Sequence, residues 1–311
     1  MKILHRASDL APSGRKVCVA IGVFDGVHLG HQQVIRQTIS DAQQYEALAV
    51  AVTFDKHPNV VVAPTRVPPL IYSLPQKVRA IESLGVDATW MIHFDEAFSG
   101  QTGEEFVRAL ARDFGHLRSV CVGSEFTFGH KRSGDVSLLR KLGEQLHFTV
   151  HGLAAIALGG RTVSSTRIRD AIRQGRLDDA SQMLGRNYAL AGPVVKGDQL
   201  GRKLGFPTAN VDAAGLALPP NGVYVAHAVT GGRTLRAAVN IGLRPTVQGA
   251  PTAPRVEAHL LDFEGDLYGQ ELELAFVRKL RDERKLESLE ALREQIQRDV
   301  AEARRQFDAE S

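Results

Sequence analysis

The sequence predicts a doubly wound α/β domain followed by a small antiparallel β-barrel and a C-terminal helix. Apolar, strand-like runs alternate with amphipathic, helix-like runs through the first half, as in a parallel sheet covered by helices. After residue 184 the pattern becomes strand-rich and is punctuated by glycine, proline and asparagine, as in small barrels. The length of 311 residues suits two domains. We place them at residues 1–186 and 187–311.

The predicted elements follow from the periodicity of apolar residues. In the first half, strands are expected at 17–24, 48–54, 88–94, 119–123 and 148–156, and helices at 32–42, 75–84, 103–113, 136–146, 166–174 and 177–184. In the second half, strands are expected at 188–195, 222–229, 235–241, 256–263 and 271–277. A final helix is expected at 286–307, with an apolar stripe of Leu286, Leu289, Leu292, Ile296 and Val300 that packs against the core.

The composition favours a cytoplasmic protein that binds small anionic molecules. Hydrophobic residues make up 43% of the chain and the net charge is +3, a mild excess that fits anionic ligands without requiring nucleic acid. The N-terminus lacks the apolar core of a signal peptide and no apolar run reaches membrane-spanning length, so no membrane partner is expected. Cys18 and Cys121 lie in strand-like runs and are interpreted as buried thiols. The oligomeric state stays open.

The most informative stretch is residues 22–31, Gly-Val-Phe-Asp-Gly-Val-His-Leu-Gly-His. It joins a strand to a helix through a glycine-rich turn, which is the layout of a phosphate site in an α/β sheet. His28 and His31 are spaced to face one ligand, and Gly30 lets a phosphate approach the backbone. The stretch is neither a dinucleotide-binding fingerprint nor a P-loop. His-x-Gly-His resembles the signature of nucleotidylyltransferases, whose imidazoles donate to phosphate oxygens as charge builds on them; the alternative is two unrelated histidines near a turn.

Three further clusters lie at predicted strand ends, where an open α/β sheet places its ligand. They are residues 54–58, 123–129 and 161–169. In the third cluster, hydroxyl residues precede a helix and can cap it. Arg161, Arg167 and Arg169 can grip a triphosphate, because the guanidinium fork matches phosphate geometry. Capping alone would also explain Ser165 and Thr166.

The second half carries its own glycine-rich stretch at residues 192–210. Its glycines allow a mobile loop to fold over phosphates. Thr208 and Asn210 alternate onto one side of an extended segment, and their oxygens are suitable ligands for Mg²⁺. Glycine-rich hairpins without a ligand are also common. Farther on, Glu257 lies on an alternating strand, where a half-buried glutamate is either ion-paired or a base.

The whole chain resembles the bifunctional bacterial riboflavin kinase/FMN adenylyltransferase family, also called FAD synthetase. The resemblance rests on residues 22–31, 54–58, 123–129, 164–169, 201–210, 240–246 and 257–263. Gly-Phe-Pro-Thr-Ala-Asn at 205–210 is specific to riboflavin kinases, whereas His-x-Gly-His is shared by a broad superfamily. At Glu125 the family more often has Asp or Asn, and the change keeps a polar acceptor. The resemblance implies a Rossmann-like nucleotidylyltransferase domain and a kinase barrel.

The resemblance also implies two reactions. In the barrel, riboflavin attacks the γ-phosphate of ATP to give FMN, with Glu257 as base and Mg²⁺ held by Thr208 and Asn210. In the first domain, FMN attacks the α-phosphate of a second ATP to give FAD and pyrophosphate, with His28 and His31 stabilising the transition state. The implied binding residues of both sites are Gly22, Phe24, Asp25, Gly30, Asp55, His57, Glu125, Phe128, Arg161, Ser164, Ser165, Thr166, Arg169, Gly197, Gly201, Arg202, Gly205, Phe206, Pro207, Thr208, Asn210, Asn240 and Arg244.

Two other classes of protein share some of these motifs. An aminoacyl-tRNA synthetase fragment would carry His-x-Gly-His, but it would need a lysine-bearing second signature and a basic RNA-facing surface. Here the matching segment is Ser-Ser-Thr-Arg-Ile-Arg and the net charge is only +3. A non-catalytic flavin-binding module would keep the glycine-rich barrel but would need neither Glu257 nor the histidine pair.

Overall fold

The computed structural model describes residues 1–243 and 254–309. Backbone contacts group the chain into two compact units. The first unit comprises Met1–Leu70 and Leu74–Ser165, and the second comprises Ile71–Ser73 and Thr166–Ser311.

The first unit is built on a parallel sheet. Its strands, within the described residues, are β1 (Lys2–Leu4), β2 (Val17–Ile21), β3 (Leu48–Phe54), β4 (Ala88–Ile92), β5 (Leu117–Gly123) and β6 (Thr149–Leu153). They run parallel in the order β1-β4-β3-β2-β5-β6. A hairpin of β7 (Ala157–Leu158) and β8 (Arg161–Thr162) follows. The helices are α1 (Leu29–Tyr45), α2 (Asn59–Val62), α3 (Leu74–Glu82), α4 (Glu96–Ser99), α5 (Gly103–Phe114) and α6 (Val136–Leu146), with 3₁₀ turns at Ala7–Ser13, Pro64–Arg66 and His130–Arg132.

Both faces of this sheet are buried under helices, as the continuous apolar runs predict. Val17, Val19 and Ile21 of β2 share a core cluster with apolar residues of α5 and α6. The alternate residues, Cys18 and Ala20, pack with residues of α1 on the other face. The doubly wound arrangement is therefore confirmed.

The second unit contains a closed antiparallel barrel. Its elements are α7 (Ser165–Arg173), α8 (Leu177–Leu184), β9 (Ala189–Val195), α9 (Leu200–Lys203), β10 (Ala209–Val211), β11 (Gly222–Thr230), β12 (Arg233–Leu243), β13 (Pro254–Leu260), β14 (Glu271–Asp282) and α10 (Leu289–Asp308). The barrel order is β10-β13-β12-β11-β14-β9. Buried aromatic rings fill it: Phe276 stacks on Tyr188 and meets Tyr224 edge-on. α10 packs on the outside through Ala303 and Phe307.

Several predicted boundaries differ from the observed ones. The strand predicted at 17–24 ends at Ile21, because the backbone turns into a left-handed conformation at Phe24. The final helix begins at Leu289, since Ser288 accepts a hydrogen bond from the N–H of Ala291 and caps it. Sequence patterns missed β1, the β7–β8 hairpin and β10, which are two or three residues long and too short to show a period.

The apolar stripe predicted to pack in the core does so only in part. Val300 packs against the buried cluster under α10. Leu289, however, is 57% exposed. Leu292 and Ile296 line a groove on the barrel surface.

Candidate active sites

The turn that follows β2 has a strained backbone. Phe24, Gly26 and Val27 have positive φ values of 52°, 78° and 40°. A left-handed conformation is rare for a β-branched residue such as Val27, and strain of this kind costs roughly 1–3 kcal/mol per residue. Gly22 is also required here, because a Cβ would come within 2.7 Å of the Phe24 ring.

Side chains from other elements hold this turn by its carbonyl groups. The hydroxyl of Thr53 donates to the carbonyl of Val23 at 3.0 Å, and the hydroxyl of Ser165 donates to that of Asp25 at 3.1 Å. The side-chain amide of Gln32 donates to the carbonyl of Val27 at 3.0 Å. The surroundings therefore determine the shape of the turn, as expected where strain persists at a functional site.

His28 and His31 lie together at the start of α1. The rings stack with centroids 3.6 Å apart, and Phe24 contacts His31 edge-on. His28 caps the helix, because its Nδ1 accepts from the N–H of His31 at 3.4 Å. A Cβ at Gly30 would press on the His28 ring at 3.2 Å. The predicted pairing of the imidazoles is thus present, at a helix end that carries partial positive charge.

Asp55 follows β3, the strand beside β2. Its carboxylate accepts from the N–H of Phe94 at 3.1 Å and pairs with Nδ1 of His93 at 2.6 Å. Partial burial acts to raise the pKa of Asp55, but these two hydrogen bonds outweigh it and hold the pKa below its ordinary value. His57 accepts from the N–H of Asn59 at 3.1 Å. His93 was not predicted, since a single histidine after a strand carries no signal.

The 123–129 segment leaves the end of β5, the other neighbour of β2. Glu125 is exposed, whereas Phe128 is half-buried, stacks on Phe126 and forms a backbone bridge with Gly134. The strand ends of β3, β2 and β5 are therefore adjacent, and the order of the sheet reverses between β2 and β5. Open α/β sheets bind their ligands at such a reversal.

The residues predicted to hold a triphosphate lie at the end of the first unit and the start of the second. Arg161 is exposed on β8, and Ser164 and Ser165 are half-buried. Thr166 and Arg169 belong to the second unit, where Arg169 is buried on α7. Their contact with phosphate stays a prediction.

In the barrel, Glu257 stands between two asparagines. On β13 it is paired directly with Asn210 of β10 and with Asn240 of β12. Directly paired residues of antiparallel strands point to the same face. Because Val256 and Ala258 point into the barrel core, Glu257 and both asparagines point outward.

Arg255 contacts two residues of this row, Glu257 and Asn210, and one residue outside it, Asp198. Its guanidinium donates to Glu257 at 2.7 Å, to the Asn210 side-chain oxygen at 3.1 Å and to Asp198 at 3.2 Å. Burial raises the pKa of Glu257, and the charge of Arg255 opposes this increase. Sequence reasoning missed Arg255, because no local pattern indicates that its side chain meets residues from two other segments.

The 197–208 loop packs tightly beside the row. A Cβ at Gly197 would collide with the side chain of Asn210, and one at Gly201 with the carbonyl of Phe206. Gly205 has a φ of 89°, which favours glycine. His259 contacts the carbonyl of Pro207 at 2.8 Å and so ties the loop to β13. Arg202 is exposed, and Arg244 lies outside the described residues.

Thr208 lines two surface clefts. One is a groove between the barrel and α10, lined by Glu257, Asn240, Ile296 and Val300 together with Thr208. The other, also lined by Thr208, contains Arg202, Phe263, Asp266 and Tyr268.

Neither a membrane-spanning helix nor a cluster of metal-ligating side chains is found in residues 1–243 and 254–309. A cluster of this kind would contain at least three His, Cys, Asp or Glu side chains. A metal site made from hydroxyl and amide oxygens would not belong to this group.

Fold and sites together define a two-part transferase that acts on nucleotides: paired histidines at a helix start in one part, and a glycine-rich barrel with an outward-facing glutamate in the other. Comparison with known proteins makes this specific. The FAD synthetase family model matches residues 11–167, and the riboflavin kinase family model matches residues 184–307. The chain belongs to the family of bifunctional riboflavin kinase/FMN adenylyltransferases.

Curated relatives agree over the full length. The bifunctional riboflavin kinase/FMN adenylyltransferase of Escherichia coli K12 is 34% identical over 99% of this chain and 98% of its own. That of Pseudomonas fluorescens is 36% identical over 98% of this chain and 97% of its own. A crystal structure described as a macrolide-efflux protein from Streptococcus pneumoniae superposes with a TM-score of 0.82, at 26% identity over 97% of this chain and 98% of that one.

The function follows from the family. The enzyme phosphorylates riboflavin with ATP to FMN in its C-terminal domain, and transfers AMP from ATP to FMN in its N-terminal domain, releasing pyrophosphate and FAD. Its substrates are therefore small molecules: riboflavin, FMN and ATP.

Proposed function

We propose that FMN adenylylation takes place at the adjacent ends of β3, β2 and β5. An oxygen of the FMN phosphate attacks the α-phosphorus of ATP, and the bond to the pyrophosphate oxygen breaks. Much of the FMN phosphate is already a dianion near neutral pH, so the step needs no strong base. The observation that supports this site is the stacked pair of His28 and His31. They follow a turn whose backbone carbonyls accept hydrogen bonds from side chains of other elements. Hydrogen bonds from the imidazoles would stabilise the charge that develops on the phosphate oxygens.

The other predicted residues of this site would bind the substrates. Arg161, Ser164, Ser165, Thr166 and Arg169 are proposed to hold the triphosphate. The hydroxyl proton of Ser165 is already donated to the carbonyl of Asp25, so Ser165 would have to turn before donating to phosphate. The remaining residues proposed to contact substrate here are Gly22, Phe24, Asp25, Gly30, Asp55, His57, Glu125 and Phe128.

We propose that riboflavin phosphorylation takes place at Thr208, which lines both barrel clefts. The apolar side chains of α10 suit the flavin ring in the groove beside Glu257, and the cleft beside Tyr268 suits ATP. Glu257 would take the proton of the ribityl 5′-hydroxyl as its oxygen attacks the γ-phosphorus and ADP leaves. The outward row of Asn210, Glu257 and Asn240 is the observation that carries this proposal.

Mg²⁺ is proposed to bind Thr208 and Asn210. Hydroxyl and amide oxygens are hard ligands, and Mg²⁺ usually combines few protein ligands with phosphates and waters. The Asn210 oxygen accepts a hydrogen bond from Arg255, so Arg255 would release it when Mg²⁺ binds. The bound ion would neutralise charge on the transferred phosphate, while the chain positions the reactants.

The domain boundary and the location in the cell also belong to this proposal. We place the adenylyltransferase at residues 1–186 and the kinase at 187–311. We further propose a cytoplasmic enzyme without nucleic-acid or membrane partners, a proposal that the mild net charge of +3 supports.

The proposed base is tested by Glu257→Gln, which keeps the shape of the side chain. We expect riboflavin phosphorylation to fall by roughly 10²–10⁴-fold, the usual range for losing a general base. The same sample should still convert supplied FMN to FAD, as measured by chromatography. Glu290→Gln, an exposed change at the start of α10, is the matched control. Full kinase activity in Glu257→Gln would show that Glu257 is only an ion-pair partner of Arg255 and not the base.

A further inference from the structure

The first unit contains a buried lysine that neither reaction uses. Lys77 on α3 is only 8% exposed. Its ammonium donates to the carbonyl of Phe54 at 2.7 Å, and lies 3.4 Å from the Thr53 hydroxyl and 3.5 Å from the carbonyl of Val23. An isolated buried charge is costly, so a lysine in this position requires partners.

The charges around Lys77 belong to the adenylylation site. Burial lowers the pKa of Lys77 to about 8, and the nearby carboxylates of Asp25 and Asp55 oppose this decrease. One carboxylate lies in the turn after β2 and the other directly after β3. Lys77 therefore lies at the point where these two strand ends meet.

The contacts of Lys77 lead to the strained turn by two routes. Directly, the ammonium faces the carbonyl of Val23. Indirectly, it donates to the hydroxyl of Thr53, which itself donates to the same carbonyl at 3.0 Å. Val23 immediately precedes Phe24, the first residue of the turn in the left-handed conformation. An ammonium has three protons, and here three protein acceptors surround it, so it is directed at the protein instead of at a substrate.

We propose that Lys77 is a positioning residue for adenylylation: it ties the carbonyl of Val23 to the end of β3 and thereby holds the turn that presents His28 and His31. The inference rests on the role proposed for these histidines. A displacement of about 1 Å at a catalytic group can cost about 10²-fold in rate, so a loosened anchor should slow the chemistry even though Lys77 does not touch the nucleotide.

Lys77→Met in the full-length enzyme tests the anchor, because it keeps an unbranched side chain and removes the charge. We expect kcat for FMN adenylylation to fall by about 10- to 100-fold with a smaller change in the KM for ATP, as expected for groups that act mainly in the transition state. Wild-type protection of the β5 amides against hydrogen exchange reports that the first unit has folded. Lys141→Met, an exposed lysine on α6, is the matched control and should behave as wild type.

A double-mutant cycle with Thr53→Val separates anchoring from a general loss of stability. Both side chains act on the carbonyl of Val23, so the two losses in kcat should be less than multiplicative when combined. Multiplicative losses would overturn the proposal. An adenylylation kcat within about 3-fold of wild type in Lys77→Met would also overturn it if hydrogen exchange of residues 22–31 is unchanged as well.

Amide hydrogen exchange of residues 22–31 provides a readout that does not depend on which residues perform the chemistry. The anchor predicts faster exchange there in Lys77→Met, while the amides of β5 stay protected. Unchanged exchange would overturn the role of Lys77. Faster exchange with undiminished FAD formation would support the anchor and overturn the role proposed for the histidines.

Discussion

The two active sites are built in opposite ways. In the first unit, the proposed catalytic residues His28 and His31 are three positions apart on one turn, and more distant residues hold that turn in place. In the barrel, the proposed catalytic row takes Asn210, Asn240 and Glu257 from three different strands. One site is thus compact in sequence, whereas the other exists only once the barrel closes.

This difference affects how each site is kept in shape. The turn in the first unit has an unfavourable backbone conformation and depends on hydrogen bonds to its carbonyls. The barrel row follows from strand register, and a one-residue slip would turn Glu257 into the core. The first site should therefore be disturbed by removing one hydrogen bond to the turn. The second site should be disturbed by changing a side chain that contacts residues of neighbouring strands.

The largest expected effect comes from separating the two regions. A fragment of residues 187–311 should fold and make FMN from riboflavin, ATP and Mg²⁺, with complete loss of FAD formation. Product chromatography and thermal melts test this. A longer fragment from residue 166 should melt at a higher temperature, because it keeps the bond from the N–H of Tyr188 to Ser181 on α8. A folded short fragment that makes no FMN would show that the kinase needs residues before 187.

Replacing either histidine comes next in size. His28→Ala or His31→Ala should lower conversion of FMN to FAD by roughly 10²-fold or more, the scale for losing a transition-state hydrogen-bond donor. Riboflavin phosphorylation, measured in the same sample, should stay near normal. His116→Ala, an exposed histidine in the same unit, serves as control. An equal loss of both activities would indicate that the pair is structural.

A smaller effect is expected at the proposed metal ligand. Asn210→Ala should raise the Mg²⁺ concentration needed for half-maximal kinase activity by about 10-fold or more, since even outer-shell partners change metal affinity on this scale. The Mg²⁺ dependence of adenylylation should not change. Asn221→Ala provides a control outside the row. An unaltered Mg²⁺ titration of the kinase would exclude Asn210 as a ligand.

The smallest expected effect is a shift in pH dependence. A carboxylate base works when deprotonated, so kinase activity should rise with pH through the pKa of Glu257. Arg255 lowers that pKa, whereas burial and Asp198 raise it. Arg255→Met should therefore move the acidic limb of kcat/KM to higher pH, and Arg255→Lys should move it less. Because this limb reports ionisation of the free enzyme, a limb that stays in place would show that Glu257 is not the group whose ionisation sets it.

Sequence patterns predicted much of the fold, because the burial of one face of each element determines the spacing of its apolar residues. The strand predicted at 48–54 was found as β3 (Leu48–Phe54), and the helix at 177–184 as α8 (Leu177–Leu184). Local motifs likewise identified the histidine pair. Prediction failed at β10, whose three residues show no period and are recognisable as a strand only through pairing with β9 and β13.

By itself, the sequence determined the order of the elements, the two-part architecture and the chemistry that the motifs carry, because these depend on neighbouring residues. Only the tertiary structure decided that Arg255 contacts Asn210 and Asp198, that His93 holds Asp55 and that Lys77 contacts the strained turn. Each of these contacts joins residues from different strands, loops or helices, and the charge of each side chain is tolerated because folding brings its partner to it. A single sequence records the residue types but not these pairings.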